Sequence, residues 1–325
     1  MANYITNTCG LIGSEPINKQ GTLTKQARSQ GILPLSLYYY PVNSDSTDQL
    51  SSRLDGILSG ISFGDNIILQ LPTMLGDQYD QALLSKINIF RQSSDSKLIL
   101  AVHSVESDRS RVSELVKNYY NRADVLILPS VHYGNYLQEM GLTVRQLVYL
   151  TVYDQFGDDI IYPVPMMTNH IVTDTDSSQI VTSMEQNGYS VTNVANSKLS
   201  MLEERVLINH SGGWGIIWPT NDQERFNLKM TPTRFFNQLM LSGLPVIVQH
   251  DNALARLVSN HNLGIVVEGL SDAMAAIKNM TDQEYQNKVK SVHAISRLLA
   301  NGVFTNQALS DALLLADLTK LGGQE

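Results

Sequence analysis

Ser211-Gly-Gly-Trp-Gly-Ile-Ile-Trp218 puts three glycines ahead of, and into, a short apolar strand. Glycine lacks a Cβ and tolerates positive φ, so such a turn lets backbone approach a ligand closely. Arg234 follows near the start of a helical stretch, and Leu241-Ser-Gly-Leu-Pro-Val-Ile-Val248 then supplies a second buried strand. A helix start offers free N–H groups and positive potential to phosphate, and arginine grips phosphate bidentately. This order suits a diphosphate site held by Gly212, Gly213, Trp214, Gly215 and Arg234, with Lys229 as a weaker second cation. The same spacing also describes a tight turn between two core strands, with Trp214 or Trp218 in the core.

A second candidate is His103, which ends the apolar run Lys97-Leu-Ile-Leu-Ala-Val102. A neutral imidazole at a strand end can act as general base on an acceptor hydroxyl. The competing reading is a structural histidine bonded to backbone. Glu106 and Asp108 are alternative bases, though loop carboxylates are more often solvated. Tyr38-Tyr-Tyr40 has the composition of a stacking platform, but strand alternation favours core packing. Asp174-Thr-Asp176 matches a metal-binding Asp-x-Asp pattern literally, yet it sits in a polar loop. No other acidic or histidine cluster has metal-ligand spacing, so neither metal nor cofactor is expected.

These residues need elements to position them. A chain of 325 residues suits two domains of roughly 150 residues each. Strands are predicted at Tyr4–Asn7, Leu33–Tyr40, Asn66–Leu71, Lys97–Val102 and Asp124–Pro129. Helices are predicted at Thr22–Gln30, Asp48–Gly60, Gln78–Phe90, Arg111–Asn121 and Val131–Met140. Continuous apolar strands alternating with helices indicate a parallel sheet covered on both faces. Ligands on such sheets bind beyond the carboxyl ends of the strands.

Composition shifts near residues 151–170, where Tyr162-Pro-Val-Pro-Met-Met brings two prolines. The domains are accordingly set at 1–155 and 156–304, with a C-terminal helix in 305–325. In the second half, strands are expected at Ile171–Val172, Ser190–Val194, Gly215–Trp218, Val246–Val248 and Gly264–Val267. Helices are expected at Ser177–Asn187, Met201–Asn209, Thr233–Ser242, Ala253–Asn260, Ser271–Asn279 and Thr305–Leu321. Ser271 is the expected N-cap of its helix, and Thr281-Asp-Gln-Glu284 reads as a capping box for another.

Composition narrows the function. The net charge of −8 leaves no basic excess for nucleic acid. Cys9 is the only cysteine, which excludes an internal disulfide and fits a reducing, cytoplasmic compartment. The N-terminus does not read as a signal peptide, and no apolar run approaches the ~20 residues of a membrane span.

Several stretches together resemble the small GT-B glucosyltransferases that extend sugars on serine-rich-repeat adhesins of streptococci and lactobacilli. That group is also described as galactofuranosyltransferase-like or nucleotide-sugar-synthetase-like. The resemblance rests on Tyr4-Ile-Thr-Asn7, Arg53-Leu-Asp-Gly56, Gly64-Asp65, Gln70-Leu-Pro-Thr73 and Tyr119-Tyr-Asn-Arg-Ala-Asp-Val125. In the second half it rests on Gly212–Trp218, Gly243–Val248, Asn262-Leu-Gly264 and Gly302-Val-Phe-Thr305. It implies an α/β GT-B fold of two doubly wound Rossmann-like domains facing a cleft. It further implies a UDP-sugar donor, an N-acetylglucosamine-bearing adhesin or similar glycan acceptor, and a homo-oligomer. The C-terminal helix, with its wide apolar set, would pack back on the first domain or lie at the subunit contact.

The departures bear on the same site. Where the family carries small hydroxyl residues after the first strand, this chain reads Ser14-Glu-Pro16. Where the family usually reads His-Asp, this chain keeps His103 but follows it with Ser104. The family's Gly-Asn turn with a basic residue corresponds to Thr173-Asp-Thr-Asp-Ser-Ser178, which has no cation. A family lysine falls at Arg234. Two readings therefore stand: a UDP-sugar-dependent glycosyltransferase, or a non-catalytic relative that binds glycan or a partner transferase. A metabolic sugar epimerase or synthetase is disfavoured, because no Gly-x-Gly-x-x-Gly follows the first strand.

Overall fold

The computed structural model describes residues 1–11, 15–155, 162–175, 177–195 and 197–321. The chain divides into two compact units, Met1–Tyr153 with the segment from Phe304 onward, and Asp154–Val303. The expected boundary at 155–156 adjoins residues 156–161, which lie outside the described residues, as do Ser14 and Asp176.

The first unit alternates strand and helix in the order β1 (Asn3–Cys9), α1 (Glu15–Ser29), β2 (Leu33–Tyr38), α2 (Thr47–Leu58), β3 (Asn66–Leu71), α3 (Asp77–Ser94), β4 (Lys97–Val102), α4 (Arg109–Asn118), β5 (Val125–Leu128), α5 (Val131–Glu139) and β6 (Gln146–Tyr149). Its six parallel strands lie in the order β2-β1-β3-β4-β5-β6. Strands β3, β4 and β5 are apolar and almost wholly buried, because helices cover both faces of the sheet.

Two sequence expectations change here. Helix α1 begins at Glu15, seven residues before the expected start. Pro16 falls in its first turn, where proline's missing N–H costs nothing. Strand β6, not expected from the sequence, pairs with β5 from Gln146 to Tyr149.

The second unit runs β7 (His170–Thr173), α6 (Ser178–Gln186), β8 (Ser190–Asn193), α7 (Met201–Ser211), β9 (Trp214–Ile217), α8 (Asp222–Met230), α9 (Arg234–Leu241), β10 (Val246–Gln249), α10 (Ala255–Asn260), β11 (Gly264–Val267), α11 (Leu270–Lys278) and α12 (Asp282–Ala300). Its five parallel strands lie in the order β11-β10-β9-β7-β8. Helix α8 was not expected. Its signal is Asn221, whose side chain accepts from Glu224 N at 2.9 Å. The N-cap of α11 is Gly269 rather than Ser271, and Asp272 Oδ2 accepts from Gly269 N at 3.1 Å. The capping box at α12 is present, with Thr281 N donating to Glu284 Oε2 at 2.9 Å.

The final helix, α13 (Val303–Leu321), returns to the first unit. Ala308, Leu309, Ala312 and Ala316 enter the core cluster that contains Ile5, Ile68 and Ile127. Small residues at this spacing let the helix approach the sheet closely, while Leu314 and Leu318 remain exposed.

Candidate functional site

Ligands on a doubly wound sheet sit beyond the strand carboxyl ends, where successive crossovers leave in opposite directions. In the second unit that point lies between β7 and β9. Thr173 ends β7 there and Thr175 follows it, both buried. Asn193 Nδ2 donates to Thr175 O at 2.7 Å, and Thr175 N donates to Thr173 Oγ1 at 3.2 Å. The buried Thr175 hydroxyl has no partner among the described residues. It lies three residues before the first residue of α6. Asp174 adjoins it, and its carboxylate opposes an anion at that spot.

Arg234 and Lys229 belong to the same edge. Ala253 N, in the loop after β10, donates to Leu228 O at 2.9 Å and fixes the end of α8 there. Helix α9 starts at Arg234 with Thr233 as N-cap, and its far end feeds β10. Eight helical residues span ~12 Å, so α9 crosses from the carboxyl edge to the amino edge. Arg234 is exposed, Lys229 is half-buried, and neither has an ion pair or hydrogen bond among the described residues. A cation at a helix start opposes the helix dipole. A bound anion reverses that sign.

The glycine turn lies at the opposite edge, because it precedes β9 instead of following it. Gly212 and Gly213 take φ of 64° and 70°. A Cβ on Gly213 would lie 2.1 Å from His170 O, and one on Gly215 would lie 2.3 Å from Leu239 Cδ2. Trp214 is 0% exposed and meets the Tyr285 ring edge-on at 5.2 Å. The Tyr285 hydroxyl donates to Gly213 O at 2.7 Å. The expected donor role of Gly212, Gly213, Trp214 and Gly215 is therefore corrected. Their space is filled by this chain's own strands and helices, and the tight-turn reading fits.

In the first unit the corresponding point lies between β1 and β3. Thr8 Oγ1 donates to Thr73 O at 2.7 Å, tying the two strand ends together. Thr73 donates its hydroxyl to Asp80, and Thr73 N donates to the same carboxylate at 3.3 Å. Burial pushes Asp80 up from 3.8 to about 6, with the Thr73 bonds opposing.

His103 lies nearby and is 2% exposed. Gln70 Nε2 donates to Thr6 O and to Thr24 Oγ1, leaving its Oε1 to accept. His103 Nε2–H fills that acceptor at 2.8 Å. In this tautomer Nδ1 carries the lone pair and faces the Tyr153 hydroxyl at 3.2 Å. Burial, and then the Lys19 cation, lower the ring from 6.5 to about 3. Both nitrogens are thus engaged by side chains, not by the backbone that the structural reading supposed. A base works best with a pKa near the working pH, and His103 lies far below it.

Gln70 was missed, although one amide inside the apolar run Asn66–Leu71 signals a buried polar network. The alternative bases are also occupied. Glu106 Oε1 accepts from Ser107 N at 2.8 Å and Asp108 N at 3.0 Å, while Asp108 caps α4 through Arg111 N. Among the described residues no group of three His, Cys, Asp or Glu side chains is placed to hold a metal. Among them, too, no helix is long and apolar enough to cross a membrane.

Two family models match the chain. The model for the N-terminal domain of glucosyltransferase 3-like proteins covers residues 2–152, and that for the C-terminal domain covers residues 166–312. Glucosyltransferase 3 of Streptococcus gordonii is 30% identical over 333 residues, spanning 95% of this chain and 98% of that protein. Glucosyltransferase 3 of Streptococcus parasanguinis is 28% identical, spanning 97% and 99%. Among solved structures, Anabaena Alr3699/HepE in complex with UDP and glucose aligns with a TM-score of 0.58 at 12% identity, over 96% of this chain and 99% of that one. A Rickettsia africae glycosyltransferase aligns at 0.55 and 10% identity, over 97% and 98%. These likenesses show the GT-B fold class.

Proposed function

The chain belongs to the glucosyltransferase 3-like family, and from that premise we propose a glycosyltransferase that moves a hexose from a UDP-sugar to an N-acetylglucosamine-bearing adhesin or similar glycan. The observation that carries this reading is Arg234, a cation without a partner among the described residues, at the carboxyl edge of the second unit. Transfer of a sugar from UDP leaves negative charge on the departing diphosphate. A preorganised cation aimed at charge that develops in the transition state stabilises it more than it stabilises the substrate. Lys229, five residues earlier and on the same edge, adds charge to this field. The Thr175 hydroxyl, without a partner among the described residues, offers a neutral donor. The UDP-bound Anabaena structure shares the fold and supports the choice of nucleotide.

Arg234→Ala is expected to weaken UDP binding at least tenfold. Loss of one charged hydrogen bond costs about 1.5–3 kcal/mol, equivalent to roughly ten- to hundredfold. Titration calorimetry with UDP measures this directly. If the wild-type protein binds no UDP at millimolar concentration, transfer is excluded. The chain is then a non-catalytic relative that binds glycan or a partner transferase. That second reading is favoured by Asp174, whose charge opposes a diphosphate, and by the engaged state of His103.

The cytoplasmic setting and the homo-oligomer belong to the same proposal. Leu314 and Leu318 form the outward side of α13, whereas Leu315 packs partly against the core. Light scattering should give a mass above 36.1 kDa. Leu314→Glu with Leu318→Glu should then return it to that value. A wild-type mass of one chain would refute association.

A further inference from the structure

Tyr38 and Tyr39 are 70% and 55% exposed, against the expectation of core packing. Only Tyr40 turns inward. Its ring meets Tyr79 at 6.4 Å, and the Arg53 guanidinium lies 4.9 Å from it, held by Asp45 at 2.7 Å. Tyr40 therefore anchors the segment from which the other two project. Neither Tyr38 nor Tyr39 has a side-chain hydrogen bond or ring partner among the described residues.

The position is specific. Tyr39 N donates to Cys9 O at 2.9 Å, which brings Tyr39 alongside the end of β1. A Cβ on Gly10 would meet Tyr39 Cβ at 3.6 Å, so Gly10, at φ of 88°, packs directly against the base of the Tyr39 side chain. On the other side of β1, Thr8 is bonded to Thr73, and the exposed Met74 follows with φ of 67°. Neighbouring strands are ~4.8 Å apart. Tyr39 and Met74 thus flank the switch point at a spacing on the order of 10 Å, about two pyranose rings.

We propose that Tyr39, with Met74 across the end of β1, forms an acceptor subsite that stacks the apolar face of a neutral β-configured pyranose. The inference rests on the glycosyltransferase reading of this chain and adds the residues that hold the acceptor. An aromatic ring presents a flat, weakly negative face. The axial C–H groups of a gluco-configured ring carry the complementary positive edge. The phenol hydroxyls remain free to exchange hydrogen bonds with sugar hydroxyls. The Arg53–Asp45 pair packed at Tyr40 is internally neutralised, so that flank suits a neutral sugar better than an ionic ligand.

The test is saturation-transfer NMR on the full chain with methyl β-N-acetylglucosaminide, paired with a transfer assay. Irradiating the aromatic protons should saturate H1, H3 and H5 of the sugar. Tyr39→Ala should abolish that transfer and raise the acceptor half-saturation concentration about tenfold. UDP affinity should not change. Tyr39→Phe should keep stacking, and Tyr38→Ala should have the smaller effect. Because both tyrosines are exposed, the variants should melt with the wild type. The proposal is overturned if the wild-type protein gives no transfer to the glycoside, or if Tyr39→Ala binds it normally. Absence of UDP binding would sink the transferase reading, yet the NMR result would still decide the subsite.

Discussion

Gly213→Ala is expected to unfold the second unit, with a loss of at least about 4 kcal/mol. Two costs add. The residue sits at φ of 70°, a left-handed conformation that costs an L-residue about 1–2 kcal/mol. The new methyl would also lie 2.1 Å from His170 O. That carbonyl is backbone at the first residue of β7, so it cannot retreat without breaking the strand's pairing to β8 and β9. Gly212→Ala should cost less, because its nearest obstacle is Met166 O at 2.9 Å. Denaturant melts by circular dichroism measure both. If the glycines were kept open for a ligand, the alanine variant would melt normally and lose UDP affinity instead. That result would move the donor site back to the glycine turn.

The glycine turn shows what was legible in the sequence and how a familiar signal misled. The order helix, Gly-Gly, strand already says that the turn precedes β9. Ligands on parallel sheets gather after strands, so chain order alone assigns these glycines to the wrong edge. Arg234 lies at the other edge, because α9 is the helix that feeds β10 and so starts at the carboxyl edge. The alternation of buried strands and helices was equally legible, since continuous apolar runs have few other uses. Helix α8 was hidden by its polar composition, which gives weak periodicity. The exposure of Tyr38 and Tyr39 was not legible at all. It depends on β2 lying at the edge of its sheet with β1 as its one neighbour, and strand order is a long-range property. Local alternation reads a tyrosine run as core whether the strand is central or marginal.

His103→Ala is expected to lower stability by about 3–4 kcal/mol near pH 7.5, and activity should fall with it. Removing the ring leaves Gln70 Oε1 buried without its donor and takes the Nδ1 acceptor from the Tyr153 hydroxyl. An orphaned buried group costs about 1–3 kcal/mol, and the cavity adds to that. The effect should shrink in acid, and the sign follows from proton binding. The native ring titrates at about 3, below its ordinary 6.5. Between those values the unfolded chain holds a proton that the native state excludes. Stability due to this group therefore rises with pH across that window and is lost as pH falls, by up to about 1.4 kcal/mol per unit. Asp80 acts in the opposite sense. Its pKa rises from 3.8 to about 6 on folding, so the native state keeps a proton the unfolded chain releases, and stability falls as pH rises through that range. Asp80 is present in both proteins, so the difference between wild type and His103→Ala isolates the imidazole. That difference should drop to about 1 kcal/mol at pH 4.5. A gap that stayed constant from pH 7.5 to 4.5 would mean that the native ring protonates as readily as the unfolded one. A variant that melts with the wild type yet loses turnover would return His103 to the chemistry as a base. Parallel loss of stability and turnover, fading in acid, identifies it as the buried pin that holds the ends of β3 and β4 beneath the first unit's binding edge.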